Sequence, residues 1–67
     1  MTNFAERLTE LRIEKGLNRL QLANELKFTE RSIGRWENGE TIPDIETFAK
    51  FVMFFKCSAD YLLGTEN

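Results

Sequence analysis

Two arginines that lie four residues apart are the side chains of this chain best suited to recognising another molecule. Arg31 and Arg35 belong to the segment 29–39, whose only apolar residues are Ile33 and Trp36. Their spacing of three places these apolar side chains on one face of a helix, so the buried stripe is narrow and the polar side chains point outward. A guanidinium carries five N–H donors in a rigid fork. A short anchored helix with such groups outside is what reading a groove requires.

A helix, a tight turn and a second helix are predicted to position these arginines. Thr29 is a good N-cap for the second helix, because its hydroxyl can accept a hydrogen bond from an unpaired backbone N–H. Gly39 ends that helix. Asn18 and Gln21 form a capping-box pattern at the start of the preceding helix, and the turn falls at 27–28.

Turn and capping signals predict three further helices, giving five in all and no strand. The first begins at Asn3, where Glu6 completes a second capping-box pattern, and ends at Gly16. Asp44 and Ser58 are suited to cap the fourth and fifth helices. Five short helices with short connections predict a compact all-α domain.

The fourth helix is expected to bury one face against the others. Its predicted apolar stripe consists of Ile45, Phe48, Ala49, Val52 and Phe55. Phe51 and Phe54 lie off this stripe and are expected to pack under the fifth helix. Met53 and Leu20 are apolar where the surface is expected, and Met53 either lies flat on that surface or belongs to a self-association patch.

Length and composition predict a single domain. The chain has 67 residues, of which 42% are hydrophobic, enough for one small core. We expect the domain to span 1–64 and the tail 65–67 to be frayed. A single cysteine allows no internal disulfide, and no apolar run approaches the length of a membrane span, so a cytoplasmic location is expected.

The residues needed for most catalytic and metal sites are missing from the sequence. There is no histidine, one cysteine cannot form a thiolate metal site, and no glycine-rich phosphate loop occurs. Paired acids such as Glu10 and Glu14 have the spacing of a solvated helix face. We therefore expect no enzyme activity, no metal, no cofactor and no small-molecule ligand.

Charge is distributed unevenly, although the net charge is only −2. The segment 19–35 contains four basic and two acidic residues, whereas 42–67 contains two basic and four acidic ones. A nucleic-acid partner would therefore meet few cations, which predicts low non-specific affinity and a shallow salt dependence.

An ordered set of residues runs through nearly the whole chain with fixed spacings. It comprises Arg7, Leu8, Leu11, Arg12, 15–17, Leu22, Ala23, Leu26, Ser32, Ile33, 35–39, Pro43, Asp44, Thr47, Phe48 and 60–64. With this set the sequence resembles the Cro/cI-type (xenobiotic-response-element, lambda-repressor-like) helix-turn-helix family. The resemblance implies a five-helix lambda-repressor-like fold whose second and third helices form a DNA-reading motif.

The resemblance assigns the outer side chains of the third helix, 30–38, to bases in the major groove. Similar family members read bases from positions matching Glu30, Arg31 and Arg35, and the first turn adds Ser32. Each arginine can fork onto guanine O6 and N7, while Glu30 can accept from cytosine N4. The alternative for each is a solvated surface charge.

Four further residues are predicted to contact phosphates: Asn18, Arg19, Thr29 and Asn38. Arg19 stands where the family usually has a glutamine that contacts a phosphate. Asn18 and Thr29 have capping as an equal alternative, and Asn38 can equally be a helix-end residue. The resemblance also implies a structural ion pair between Arg12 and Glu37.

Three positions depart from the family pattern and leave the strength of DNA binding open. Lys27 replaces a usual turn glycine, Gly34 lies inside the third helix, and Glu40 occupies a loop that is often basic. Gly34 costs about 0.5–1 kcal/mol relative to alanine unless it permits a close approach.

The preferred interpretation is a transcriptional regulator, most simply a repressor, that binds a pseudo-palindromic operator in double-stranded DNA. We expect a homodimer that forms on DNA, with half-sites about 34 Å apart. The alternative is a protein-interaction module of the same fold that uses a surface containing Leu20 and Met53.

Overall fold

Five α-helices and no strand are present in residues 3–65, the part of the chain that the computed structural model describes. The helices are α1 Phe4–Glu14, α2 Arg19–Leu26, α3 Glu30–Glu37, α4 Ile45–Phe55 and α5 Ala59–Leu63. The predicted all-α, five-helix architecture is confirmed. No helix within this range is long and apolar enough to cross a membrane. Of the predicted tail, residues 66 and 67 lie outside the described part, and the N–H of Thr65 donates to Asp60 O at 3.0 Å.

Side-chain caps set the start of four of these helices. In each, the side chain of the N-cap residue accepts a hydrogen bond from the backbone N–H three residues later, the N-caps being Asn18, Thr29, Asp44 and Ser58. The capping box of α2 is reciprocal, because Gln21 Oε1 accepts from the N–H of Asn18 at 2.8 Å. At α4 the hydrogen bonds from Thr47 hold the pKa of Asp44 below its ordinary value. These local predictions are correct.

The predicted capping box at α1 is wrong. The side chain of Asn3 makes no capping bond, and its backbone angles (φ −106°, ψ 28°) are not those of an extended cap. Its N–H instead donates to Leu63 O at 3.1 Å. The backbone of Asn3 passes so close to Gly64 that a Cβ added to residue 64 would lie 2.7 Å from the Cβ of Asn3. The contact between the two ends of the fold therefore determines the conformation of Asn3.

Phe51 forms the centre of the core. It is completely buried, and four other aromatic rings have centroids 5.6–6.3 Å from its own, those of Phe4, Phe28, Trp36 and Phe55. The remaining fully or almost fully buried apolar residues come from every other helix: Phe4, Leu8, Leu22, Ala23, Ile33 and Leu62. The rings thus link α1, α3, α4 and the turn before α3.

The predicted stripe of α4 is correct in part, because Phe48, Val52 and Phe55 pack against the core as partly buried side chains. Ile45 is 86% exposed and Ala49 is also exposed, whereas Phe51 is fully buried. Phe54 packs edge-on against Phe55 at 5.1 Å, with Lys15 Nζ over its ring at 5.0 Å. Helical spacing alone does not identify the centre of the buried face in so apolar a helix, and the aromatic partners on α1 and α3 place Phe51 there.

Truncation of the central ring should strongly destabilise the fold. We expect Phe51→Ala to lower the free energy of unfolding by about 3–5 kcal/mol, a large part of the stability of roughly 3–10 kcal/mol for a domain of this size. Met53→Ala is the matched control, because Met53 is on the same helix and 77% exposed. It should change the free energy by less than about 0.5 kcal/mol. Urea denaturation followed by circular dichroism measures both; comparable losses would refute the assigned core.

Candidate nucleic-acid interface

A three-residue connection joins α2 to α3 and fixes their relative direction. Lys27 has a left-handed backbone (φ 62°), a conformation that costs a non-glycine residue roughly 1–2 kcal/mol. The N–H of Phe28 then returns to Ala23 O at 2.9 Å. The ring of Phe28 packs edge-on against Trp36 at 5.3 Å, so the turn is attached to the inner side of α3. The helix-turn-helix arrangement predicted for these helices is present.

The two hydroxyl residues at the start of α3 bond to each other. Thr29 Oγ1 accepts from the backbone N–H of Ser32 at 3.1 Å and donates to Ser32 Oγ at 2.9 Å. Thr29 is exposed and Ser32 is half-buried. The cap is thus occupied in the free protein, and contacts of these residues with DNA remain a prediction.

The outer side of α3 carries three exposed charged side chains: Glu30, Arg31 and Arg35. Arg35 Nε lies 3.9 Å from Glu40 Oε1, in a pair whose side chains are 50% and 56% exposed. A pair so open to water is worth little, roughly 0–1 kcal/mol. Arg31 makes no ion pair within residues 3–65. Both guanidinium groups are accordingly available to a ligand.

The inner side of α3 is held by a buried carboxylate. Glu37 has a fully buried side chain, and Arg12 of α1 binds it through two parallel bonds, Nε to Oε2 at 2.7 Å and Nη2 to Oε1 at 3.0 Å. Arg12 also donates from Nη1 to Leu17 O at 2.9 Å. The predicted ion pair is present, and it connects α1, the loop before α2 and the end of α3.

A second arginine shares this carboxylate, which the sequence analysis did not predict. Arg19 Nε donates to Glu37 Oε1 at 3.0 Å, and Nη2 lies 3.5 Å from Asn38 Oδ1. Its Nη1 is 3.4 Å from the point where a Cβ of Gly34 would stand. The only hint in the sequence is that 34, 37 and 38 share one helix face, which does not identify the side chain that lies on it.

The structure therefore divides the predicted site residues into groups. Glu30, Arg31 and Arg35 lie together on the outer side of α3. Arg19 of α2 and Asn38, at the end of α3, meet beside them, whereas Asn18 is engaged in its capping box.

The two residues named in the alternative hypothesis are both exposed. Leu20 and Met53 are 51% and 77% exposed. Met53 lines a shallow groove with Leu26, Lys27, Lys50 and Phe54, to which Glu25 adds one acid and of which Leu20 is not part.

Comparisons with known proteins agree with this geometry. A family model described as a helix-turn-helix domain matches residues 5–67. The chain is 36% identical over 64 residues to the HTH-type transcriptional activator BcrR of Enterococcus faecalis, covering 96% of this chain and 31% of that protein. It is 35% identical over 60 residues to the SPbeta prophage-derived uncharacterized HTH-type transcriptional regulator YonR of Bacillus subtilis (strain 168), covering 90% and 56%. The crystal structure of a transcriptional regulator from Listeria innocua superposes with a TM-score of 0.90 at 36% identity, over all of this chain and 63% of that one.

The fold and these sequence matches are shared with the class of HTH-type transcriptional regulators. The chain belongs to the helix-turn-helix domain family, and the resemblance found in its sequence is confirmed. It spans between about a third and two thirds of the length of these relatives.

Removal of the buried carboxylate charge should destabilise the fold through Arg12. We expect Glu37→Gln to cost about 3–5 kcal/mol, because a mostly buried guanidinium loses its counter-charge. Glu40→Gln is the matched control, since Glu40 pairs with Arg35 at the open surface, and it should cost less than about 1 kcal/mol. The midpoints of urea unfolding at pH 7 give both values. Equal midpoints for the two variants would show that the buried cluster does not stabilise the domain.

Proposed function

We propose that this domain binds double-stranded DNA in a sequence-specific manner and thereby regulates transcription, with α3 lying in the major groove. The observation that carries the proposal is the two-sided character of α3. Its inner side is fixed by the buried Glu37, and its outer side presents the exposed guanidinium groups of Arg31 and Arg35, the latter in an open pair with Glu40. A reading helix must be rigid on one side and polar on the other, because base contacts demand accurate placement.

Base recognition is proposed for the outer side chains of α3. Arg31 and Arg35 are placed to form paired hydrogen bonds with guanine O6 and N7, and Glu30 to accept from cytosine N4. Ser32 adds a hydroxyl on the same turn. These pairings favour half-sites that contain G·C pairs.

Backbone contacts are proposed for residues at the ends of α2 and α3. Arg19 supplies a cation, while Asn18, Thr29 and Asn38 supply polar groups at helix ends. Such contacts position a protein on DNA without reading its sequence. With so few cations, the salt dependence of binding should be shallow.

A symmetric dimer on DNA is the proposed assembly. The longest dimension of the domain is 31 Å, close to the spacing of about 34 Å between half-sites, so two copies with their long axes along the DNA would be near neighbours. Ile42 and Ile45 are 75% and 86% exposed at the rim of an apolar depression of about 250 Å³, lined also by Phe4, Phe48 and Leu63. This surface follows α3 directly, and a second copy is its proposed occupant. Contact there would set the distance between the two reading helices.

Regulation by occupancy is the simplest mode for such a domain, and repression is the proposed direction. A domain that only covers its operator blocks other proteins from that DNA. BcrR carries the name of an activator, but this chain covers 31% of it. We also propose that the domain acts without catalysis, since its function requires only binding.

Selection from random duplex DNA tests the function directly. At two salt concentrations, we expect the purified protein to enrich a palindromic motif containing G·C pairs. Arg31→Ala should weaken binding to the selected site by about 1–3 kcal/mol and relax the preference at one position. Lys15→Ala, which removes an equal charge above the Phe54 ring, should leave the motif unchanged.

Two results would count against this function. Failure to retain any duplex at the lower salt would favour the protein-interaction hypothesis at the Met53 groove. Equal losses from Arg31→Ala on selected and random DNA would exclude Arg31 as a base-reading residue.

Ile45→Asp tests the dimer surface. A facing pair of carboxylates should cancel the apolar contact, which is worth about 1.5–3 kcal/mol per buried isoleucine. We expect affinity for one half-site to persist and cooperativity on the palindrome to fall at least tenfold, as measured by titration of the two duplexes. Ile13→Asp, at a 62% exposed position on α1, should retain cooperativity. Unchanged cooperativity in Ile45→Asp would exclude this surface.

A further inference from the structure

Arg19 belongs to a charge cluster that is not neutral. Its Nε bonds to Glu37 Oε1, although Arg12 already binds both oxygens of that carboxylate. One carboxylate and two guanidinium groups leave one surplus positive charge. The side chain of Arg19 is 37% exposed, against 13% for Arg12. The surplus charge is therefore presented to solvent at Arg19.

The place that Arg19 occupies requires a small residue at position 34. A Cβ on Gly34 would stand 3.4 Å from Nη1 of Arg19, so a single carbon just fits and a larger side chain would meet the guanidinium. Gly34 and Asn38 lie on one face of α3, which turns about 100° per residue. That face borders the outer face with Arg31. The guanidinium accordingly lies along α3 between the core and the proposed DNA-binding surface.

We propose that Gly34 and Glu37 are positioning residues that hold Arg19 as a preformed clamp for one phosphate of the DNA backbone. This inference rests on the proposed function and adds residues to it. The bond to Glu37 uses only Nε–H and one N–H of Nη2 faces Asn38 Oδ1 at 3.5 Å, so the terminal nitrogens keep three further N–H donors. A phosphodiester can accept from these donors while the Nε bond stays intact. Because the side chain is ordered beforehand, binding costs less conformational entropy.

The competing role for Arg19 is a purely structural brace between α2 and α3. A brace affects folding but leaves the number of phosphates neutralised unchanged. A clamp contributes one unit to that number, which appears as about 0.9 in the slope of log K against log salt concentration. The salt slope therefore separates the two roles independently of stability.

Four variants test the clamp on random-sequence duplex DNA: Arg19→Gln, Gly34→Val, Gly34→Ala and the double variant Arg19→Gln/Gly34→Val. Valine adds two carbon atoms beyond the Cβ and should displace the guanidinium. Alanine is the matched control, because its single carbon makes an ordinary contact at 3.4 Å. Circular dichroism at the temperature of the assay confirms that each variant is folded.

Arg19→Gln and Gly34→Val should each reduce the magnitude of the salt slope by about 0.9, and the double variant should reduce it by the same amount only. Gly34→Ala should keep the wild-type slope. In the free protein, hydrogen exchange of Arg19 Nε–H, followed by NMR, should be slow in the wild type and in Gly34→Ala and fast in Gly34→Val.

Each contrary result would refute a different part of the proposal. A wild-type slope in Arg19→Gln would leave DNA binding standing and reduce Arg19 to a brace. Additive losses in the double variant would mean that valine acts directly on the DNA and that Gly34 does not position Arg19. Absence of DNA binding by the wild type would overturn both the clamp and the proposed function, even if the exchange of Nε–H were slow.

Discussion

The buried carboxylate of Glu37 is the interaction on which the arrangement of α3 depends. Removing an ionised carboxylate from water is costly, and only good hydrogen-bonding geometry with an opposite charge compensates for it. Here both oxygens are bound, by Arg12 of α1 and Arg19 of α2. The end of α3 is therefore tied to two helices at once. Apolar packing of Ile33 and Trp36 leaves a helix free to rotate slightly, whereas directional bonds to one carboxylate also fix its rotation.

How much the sequence could predict depends on how far apart the interacting residues lie along the chain. The caps at Asn18, Thr29 and Asp44 are bonds between residues three apart, so the local sequence contains both partners. Asn3 has the same local pattern, but a backbone contact with Leu63 replaces it. The centre of the buried face of α4 also escaped prediction, because rings that are distant in sequence, those of Phe4, Phe28 and Trp36, surround Phe51. Interactions that close long loops carry no local signature.

In the candidate site, too, the features with a local sequence signal were predicted and the contact between distant residues was not. Exposure of Arg31 and Arg35 follows from the spacing of two apolar residues, and the pairing of Arg12 with Glu37 came from the family resemblance. The second bond to Glu37 came from neither source. It joins residues 18 apart and requires a small residue at position 34, so the role of Gly34 becomes visible only once the position of Arg19 is known. The glycine that weakens the helix leaves room for a guanidinium group.

Net charge bears on how the proposed complex would discriminate among DNA sequences. Affinity for any DNA grows with the number of phosphates neutralised, and a domain of net charge −2 neutralises few. The carboxylates of Glu30 and Glu40, beside the arginines of α3, also repel the phosphates of DNA that is bound without base contacts. The pair between Arg35 and Glu40 is open and weak, so a guanine that offers two acceptors can displace the carboxylate, whereas a mismatched base cannot compensate for its loss. Acidic residues close to the reading helix thus lower non-specific binding more than specific binding, and two such domains on one palindrome would recover the affinity that each sacrifices.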